Sequence, residues 1–196
     1  MPSRTSYVAL LRGINVGGKN KLPMADLAAM FSAAGCGGVR TYIQSGNVVF
    51  EASAKVAGAL PGAVGRAIEA GFGYRVPVIL RTADELGAVV RSNPFLAKGG
   101  EPEVLHVAFL SAEPGPARVA ALDHGRSPPD EMAVLGREVY LRLPNGAART
   151  KLTNAYFDST LAATSTVRNW RTVETRRPTR GGSRNGPVGG ADAGSA

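Results

Sequence analysis

The sequence predicts an α+β protein made of two ferredoxin-like (alpha-beta plait) halves with antiparallel sheets, and three observations carry that reading. Short apolar runs of strand length alternate with segments whose apolar residues recur at helical spacing. Gly- and Asn-containing turns join neighbouring strands into hairpins. The order strand, helix, strand, strand, helix, strand fills the first half and recurs in the second without a clear final strand, a pattern of split βαβ plaits and not of one parallel sheet.

Tyr7–Leu11 (YVALL) opens the chain as a short buried strand. A loop of Gly, Asn and Lys follows up to Pro23, whose fixed φ suits the first turn of a helix. Met24, Leu27, Met30 and Phe31 then recur at helical spacing, with Asp26 near the positive end and Gly35 to Gly38 as the stop. Val39–Ile43 and Val48–Glu51 flank Gln44, Ser45, Gly46 and Asn47 as a hairpin. A second helix lies within Ala54–Ala70, its start blurred by Pro61 and Gly62, and Tyr74–Arg81 (YRVPVILR) is a strand that Pro77 assigns to a sheet edge. Each half is expected to keep one open sheet face.

Thr82 or Asp84 can cap a helix running to about Arg91, which SNPF and a Gly-rich loop then break, so residues 83–103 read as a connector between halves 1–82 and 104–173. In the second half Val104–Leu110 is a strand, Pro114–Leu122 a helix, Met132–Leu135 and Val139–Leu143 a hairpin turning at Gly136, and Thr153–Leu161 a helix. Residues 174–196 lack apolar periodicity and are dense in Gly, Pro and Arg, the composition of a disordered basic tail.

The 196 residues include 44% hydrophobic ones, enough for a sizeable core. No run of eighteen apolar residues and no leader-like N-terminus occurs, and Cys36 is the single cysteine, so a reducing, cytoplasmic setting without membrane contact is expected. The formal charge of +8 is uneven: residues 1–50 carry +4, residues 51–148 carry −1, and the tail from 175 carries +3. Position therefore says more about partners than the total does.

Gly13–Asn20 (GINVGGKN) nearly matches a phosphate-binding loop, but Asn20 stands where a hydroxyl must ligate Mg²⁺ and Pro23 delays the helix, so nucleotide hydrolysis is not expected. Flexible glycines beside Lys19 and Lys21 can still hold a phosphate, although a glycine-rich turn with solvated lysines needs no ligand. The Gln44–Asn47 turn offers polar groups, yet in this reading it sits at the opposite end of the sheet from the Lys19 loop. Trp170 between Asn169 and Arg171 could stack on a base, but more often anchors a core. His106 and His124 have no companions at metal spacing, and neither a nucleophile elbow nor a cysteine–histidine pair occurs, so no metal, cofactor or catalytic residue is assigned.

Taken together and in order, YVALLRGINVGGKNKLPM, VRTYIQSGNVVF, SNPF and KLTNAYFDSTLAATSTVRNW resemble the bacterial family known as domain of unknown function DUF1697, over Tyr7 to Val173. The resemblance implies two ferredoxin-like halves and no assigned activity, so no functional residue carries over. Members continue after the RNW motif with a leucine-containing helix, whereas this chain turns to ETRRPTRGG, and its last helix is expected to be short or absent.

The leading functional expectation is a non-catalytic protein that binds a phosphate-bearing ligand through Arg12, Asn15, Gly17, Gly18, Lys19 and Lys21. The ligand would be nucleotide-like, with RNA less favoured because aromatics are 6% of the chain and no RNP-like run exists. A second expectation is an enzyme on a small anionic substrate between the halves, with Lys151, Asn154 and Arg168 facing the Lys19 loop. A third is an interaction module that pairs through an open sheet face.

Overall fold

A computed structural model describes residues 3–42 and 46–175. The first half runs β1 (Thr5–Leu11), α1 (Met24–Ala33), β2 (Gly37–Tyr42), β3 (Asn47–Ala52), α2 (Ala54–Phe72) and β4 (Val78–Thr82). The second runs β5 (Leu105–Leu110), α4 (Pro116–Ala120), β6 (Glu131–Leu135), β7 (Glu138–Arg142), α5 (Asn154–Leu161) and β8 (Ser165–Asn169). Between them lie α3 (Ala83–Arg91) and two 3₁₀ turns, and α6 (Trp170–Thr175) follows β8. Both sheets are antiparallel, ordered β2-β3-β1-β4 and β6-β7-β5-β8, so each half is an α-β plait and the fold is α+β as the sequence predicts.

Local chemistry accounts for the helix limits. Ser53 caps α2 through the Val56 N–H, and Gly73 closes it at φ +77°. Pro61 sits inside this helix, because the buried stripe Ala57, Leu60, Val64 and Ile68 outweighs the one N–H that proline lacks. Thr82 and Glu85 form a reciprocal capping box at α3. Pro77 precedes β4, which is indeed an edge strand.

Three apolar layers result. One lies between the first sheet and α1/α2, centred on Leu11, Phe31, Phe50 and Ile68, and its counterpart under α5 holds Leu110, Leu141 and Phe157. In the third, Val8, Leu10 and Ile79 of the first sheet meet Leu105, Val107, Phe109 and Tyr140 of the second, together with Leu86 and Val89 of α3 and Trp170 of α6. The sheet faces expected to stay open are thus buried against each other. Alternation along β1 and β5 gives each strand two apolar faces, one for its helices and one for the other half.

One further expectation is corrected. The second half has its final strand: β8 pairs with β5 from Leu110↔Ser165 to His106↔Asn169. In its sequence, STVRN, the buried residues are Ser165, whose hydroxyl donates to Asp158, and Thr166, whose hydroxyl oxygen accepts from Arg168. The last helix is present over Trp170–Thr175 of the described residues and inserts Trp170 fully into the inter-sheet core. The segment read as a disordered tail lies, from residue 176 on, outside the described residues. Among these, no helix is long and apolar enough to cross a membrane.

Candidate functional site

The loop after β1 folds on itself. Val16-Gly17-Gly18-Lys19 is a tight turn closed by Lys19 N–H donating to the Val16 carbonyl at 3.1 Å, with positive φ at both glycines, the type I′ signature. Asn15 locks the base: its Nδ2 donates to the Leu22 carbonyl at 2.9 Å and its Oδ1 accepts the Leu22 N–H at 2.8 Å. Asn20 Nδ2 donates to the Gly13 carbonyl at 2.9 Å. Both asparagines hold the left-handed backbone their type tolerates. The result is a miniature hairpin with Val16 at its tip, 64% exposed, and Lys19 and Lys21 reaching solvent. Asn15 and the glycines therefore shape the loop, where sequence reasoning reads them as ligand groups.

Arg12 turns away from this loop. Its guanidinium forms an ion pair with Asp158 of α5 and donates to the Ser165 carbonyl at 3.2 Å, joining the halves. Asp158 is itself fixed by the Ser165 N–H and hydroxyl, both at 2.7 Å. The turn after β2 lies beside the same corner: Leu11 N–H donates to the Gly46 carbonyl at 2.8 Å, and a Cβ at Gly46 would sit 2.9 Å from Ile14 Cγ1. This overturns the expectation that the two loops occupy opposite ends. β1 and β3 are antiparallel with Leu10 opposite Asn47, so the start of β3 abuts the end of β1. Residues 43–45 of that turn lie outside the described ones.

Arg168 completes the corner from the second half. Nε donates to Asn47 Oδ1 at 2.8 Å, NH2 to the Leu11 carbonyl at 2.6 Å, and NH1 to Thr166 Oγ1 at 2.7 Å and the Val167 carbonyl at 2.9 Å. Burial pushes its pKa down to about 10, which leaves it a cation at neutral pH.

A cleft of about 410 Å³ opens here, with Arg12, Ile14 and Val16 on one wall and Asn154, Thr166 and Arg168 on the other. No carboxylate is among the described residues that line it. A second groove of about 400 Å³ brings together Asn15, Gly18 and Lys21 beside the start of α1. The sequence-derived residues thus divide. Arg12, Asn154 and Arg168 share the cleft, Asn15, Gly18 and Lys21 share the groove, and Gly17 and Lys19 line neither. Lys151 is elsewhere, exposed, its carbonyl accepting Arg126 Nε and its N–H donating to Ser127 Oγ. Asn47, a residue of the turn motif, and Asp158, an acid within the C-terminal motif, complete the corner. Only the paired fold shows that they converge. Among the described residues no cluster of three His, Cys, Asp or Glu could hold a metal ion.

The fold and this corner define a class: a double α-β plait whose halves enclose a guanidinium-lined cleft. The family model described as protein of unknown function (DUF1697) matches residues 4–140, and the chain belongs to that family. The match stops short of the wall formed by Asn154–Arg168. Among solved structures, the conserved bacterial protein SP0830 from Streptococcus pneumoniae is similar in fold, with a TM-score of 0.62 at 23% identity over 88% of this chain and 97% of that one. No curated protein matches the chain.

Proposed function

We propose that the chain binds a small phosphate-bearing molecule in the cleft between its halves. The observation that carries the proposal is that two guanidiniums, Arg12 and Arg168, border one cleft of small-molecule size, Arg168 being held by bonds to Asn47, Leu11, Thr166 and Val167. A cation already held in place loses little entropy when an anion arrives, and low local polarity strengthens the attraction. Asn154 and Thr166 add neutral groups, and Ile14 and Val16 an apolar wall. Lys19 and Lys21 contribute long-range attraction from the loop. Burial of the sheet faces between the halves favours this reading over RNA or a protein partner on an open sheet. The lone, buried Cys36 fits a reducing cytoplasm.

Thermal unfolding of the full chain against inorganic phosphate, nucleoside monophosphates and sugar phosphates tests the proposal. A ligand at a hundred times its dissociation constant adds about 2.7 kcal/mol, or roughly 5 to 10 °C at this size. The shift is expected to survive Lys19→Ala and to fall with Arg12→Ala. A flat panel overturns the proposal, and a shift abolished by Lys19→Ala moves the site to the loop. The same cleft serves the second reading, an enzyme on a small anion, and any molecule that binds would then be assayed for turnover.

A further inference from the structure

The halves hold each other through a crossed pair of arginines. Arg81 is the last residue but one of β4, and Arg168 the last but one of β8. The NH2 of each donates to the carbonyl that ends the first strand of the other half, Leu110 for Arg81 at 2.8 Å and Leu11 for Arg168 at 2.6 Å. The NH1 of each donates to the carbonyl of the residue before it, Leu80 at 2.8 Å and Val167 at 2.9 Å. The Nε of each donates, at 2.8 Å, to the side chain that opens the third strand of the other half, Glu138 and Asn47 in turn. Arg81 makes these bonds in a sealed corner, 1% exposed. The matching bonds of Arg168 therefore belong to a clamp that the fold repeats, and they are explained without a ligand.

The residue that breaks the repeat is Arg12. It follows Leu11 as Ser111 follows Leu110, and the backbone N–H of each donates to the carbonyl just before the edge strand, Pro77 for Arg12 at 3.0 Å and Thr164 for Ser111 at 2.8 Å. Ser111 uses its side chain on that same connection, its Oγ accepting the Thr164 N–H at 3.0 Å. Arg12 instead carries a guanidinium to the wall of the cleft, with its side chain 28% exposed. Both of its described bonds, to Asp158 and to the Ser165 carbonyl, are made by NH1, so Nε and NH2 have no acceptor among the described residues. Asp158 is not among the residues that line the cleft, and it is tied by the Ser165 N–H and hydroxyl. It fixes the guanidinium at one nitrogen and leaves the side-on edge unused. From the facing wall, Asn154 turns its Oδ1 to the Ser165 hydroxyl at 3.1 Å, which leaves its Nδ2 as a donor.

We propose that Arg12 reads the ligand's phosphate group through its Nε–NH2 edge, with Asn154 Nδ2 as a further donor and Arg168 as the scaffold of the cleft wall. The assignment rests on the cleft reading above and adds to it which guanidinium meets the ligand and by which atoms. Nε and NH2 lie in one plane and direct their N–H groups the same way, so they take two oxygens of one anion, a geometry that a point charge does not reproduce. The carboxylate of Asp158 lowers the net charge behind Arg12, which makes these directed bonds, more than bulk attraction, the source of affinity. The ligand class is a phosphate monoester, whose non-ester oxygens accept from these donors while its neutral body lies along Ile14 and Val16.

The test uses inorganic phosphate as probe and the full chain. Arg12→Lys keeps the charge and the means to pair with Asp158 but removes the two-donor edge, and is expected to raise the dissociation constant for phosphate about tenfold. A measurement without substitution runs beside it: in the arginine Nε–Hε spectrum, phosphate is expected to shift the Arg12 resonance and leave that of Arg81 in place. A rise of less than about threefold in Arg12→Lys overturns the assignment, because charge alone then suffices. So does an Arg12 resonance that stays silent while the protein saturates with phosphate, which decides the matter if Arg12→Lys does not fold. Absence of any saturable phosphate binding overturns instead the cleft reading on which the assignment rests.

Discussion

Glu138→Ala removes the only carboxylate, among the described residues, bonded to the guanidinium of Arg81, which is 1% exposed. Arg81 Nε lies 2.8 Å from Glu138 Oε1, and Glu138 is itself 14% exposed, so solvent screens little of the pair. Burial already lowers the Arg81 pKa, and Glu138 is the main group opposing that shift. Stranding a buried charge in this way costs about 3 to 5 kcal/mol. The carbonyls of Leu80, Leu110 and Arg137 remain as acceptors, which places the expectation at the low end, about 3 kcal/mol. For a chain of this length that lowers Tm by roughly 6 to 12 °C. Urea titration followed by circular dichroism measures it directly. The double exchange Arg81→Met with Glu138→Leu removes both charges and is expected to recover to within about 1 kcal/mol of the parent. A single-variant loss below about 1 kcal/mol would refute the view that this clamp holds the halves together.

Gly46→Ala combines a positive φ with a Cβ 2.9 Å from Ile14 and 3.0 Å from Leu11, and is expected to cost about 2 to 3 kcal/mol, read as a lower urea midpoint; a neutral result would show that the turn does not press on the β1 loop. Trp170 is the only tryptophan and lies in the inter-sheet layer, so its fluorescence reports separation of the halves. Its unfolding curve is expected to superimpose on that from circular dichroism, and two separate midpoints would mean that the halves unfold independently. Burial lowers the pKa of His106, partly offset by its bond to the Val104 carbonyl. Its folded pKa is thus below the unfolded value of 6.5, so the stability it confers is present above that value and is lost as pH falls through the lowered one. His106→Gln should flatten this acid limb of stability against pH, and an unaltered limb would assign it to other groups.

Most of the fold was legible because the elements that form it are locally consistent. The Pro23 start of α1, the Thr82 cap and the Gly46 turn each announce themselves in a few residues. β8 is hard to read because STVRN has one apolar residue and is held by polar bonds, Ser165 to Asp158, Thr166 to Arg168, and Arg168 to the distant Leu11 carbonyl. The meeting of the sheets was hidden for the opposite reason: Val8, Leu10, Val107 and Phe109 look like any buried strand, and alternation does not say what covers the second face. In the candidate site, Asn15 bonds its own loop and also borders a groove, and the sequence does not distinguish an asparagine that shapes a loop from one that faces a ligand. Arg12, Asn154 and Arg168 were singled out from their motifs, but that they converge depends on pairings more than a hundred residues apart.

The crossed arginines also bear on how the chain is made. When residues 1–82 have left the ribosome, Arg81 has been synthesised but the Glu138 it will face has not, and Val8, Leu10 and Ile79 have nothing to cover them. The Leu11 carbonyl and Asn47 wait longer still, for Arg168, among the last residues described. The first plait can collapse onto α1 and α2 as it emerges, but its other side stays sticky until translation is nearly complete. A gene cut at the connector would therefore be expected to yield an aggregating fragment in place of a smaller working protein. The duplicated architecture, which invites division into two parts, behaves as one indivisible product of synthesis.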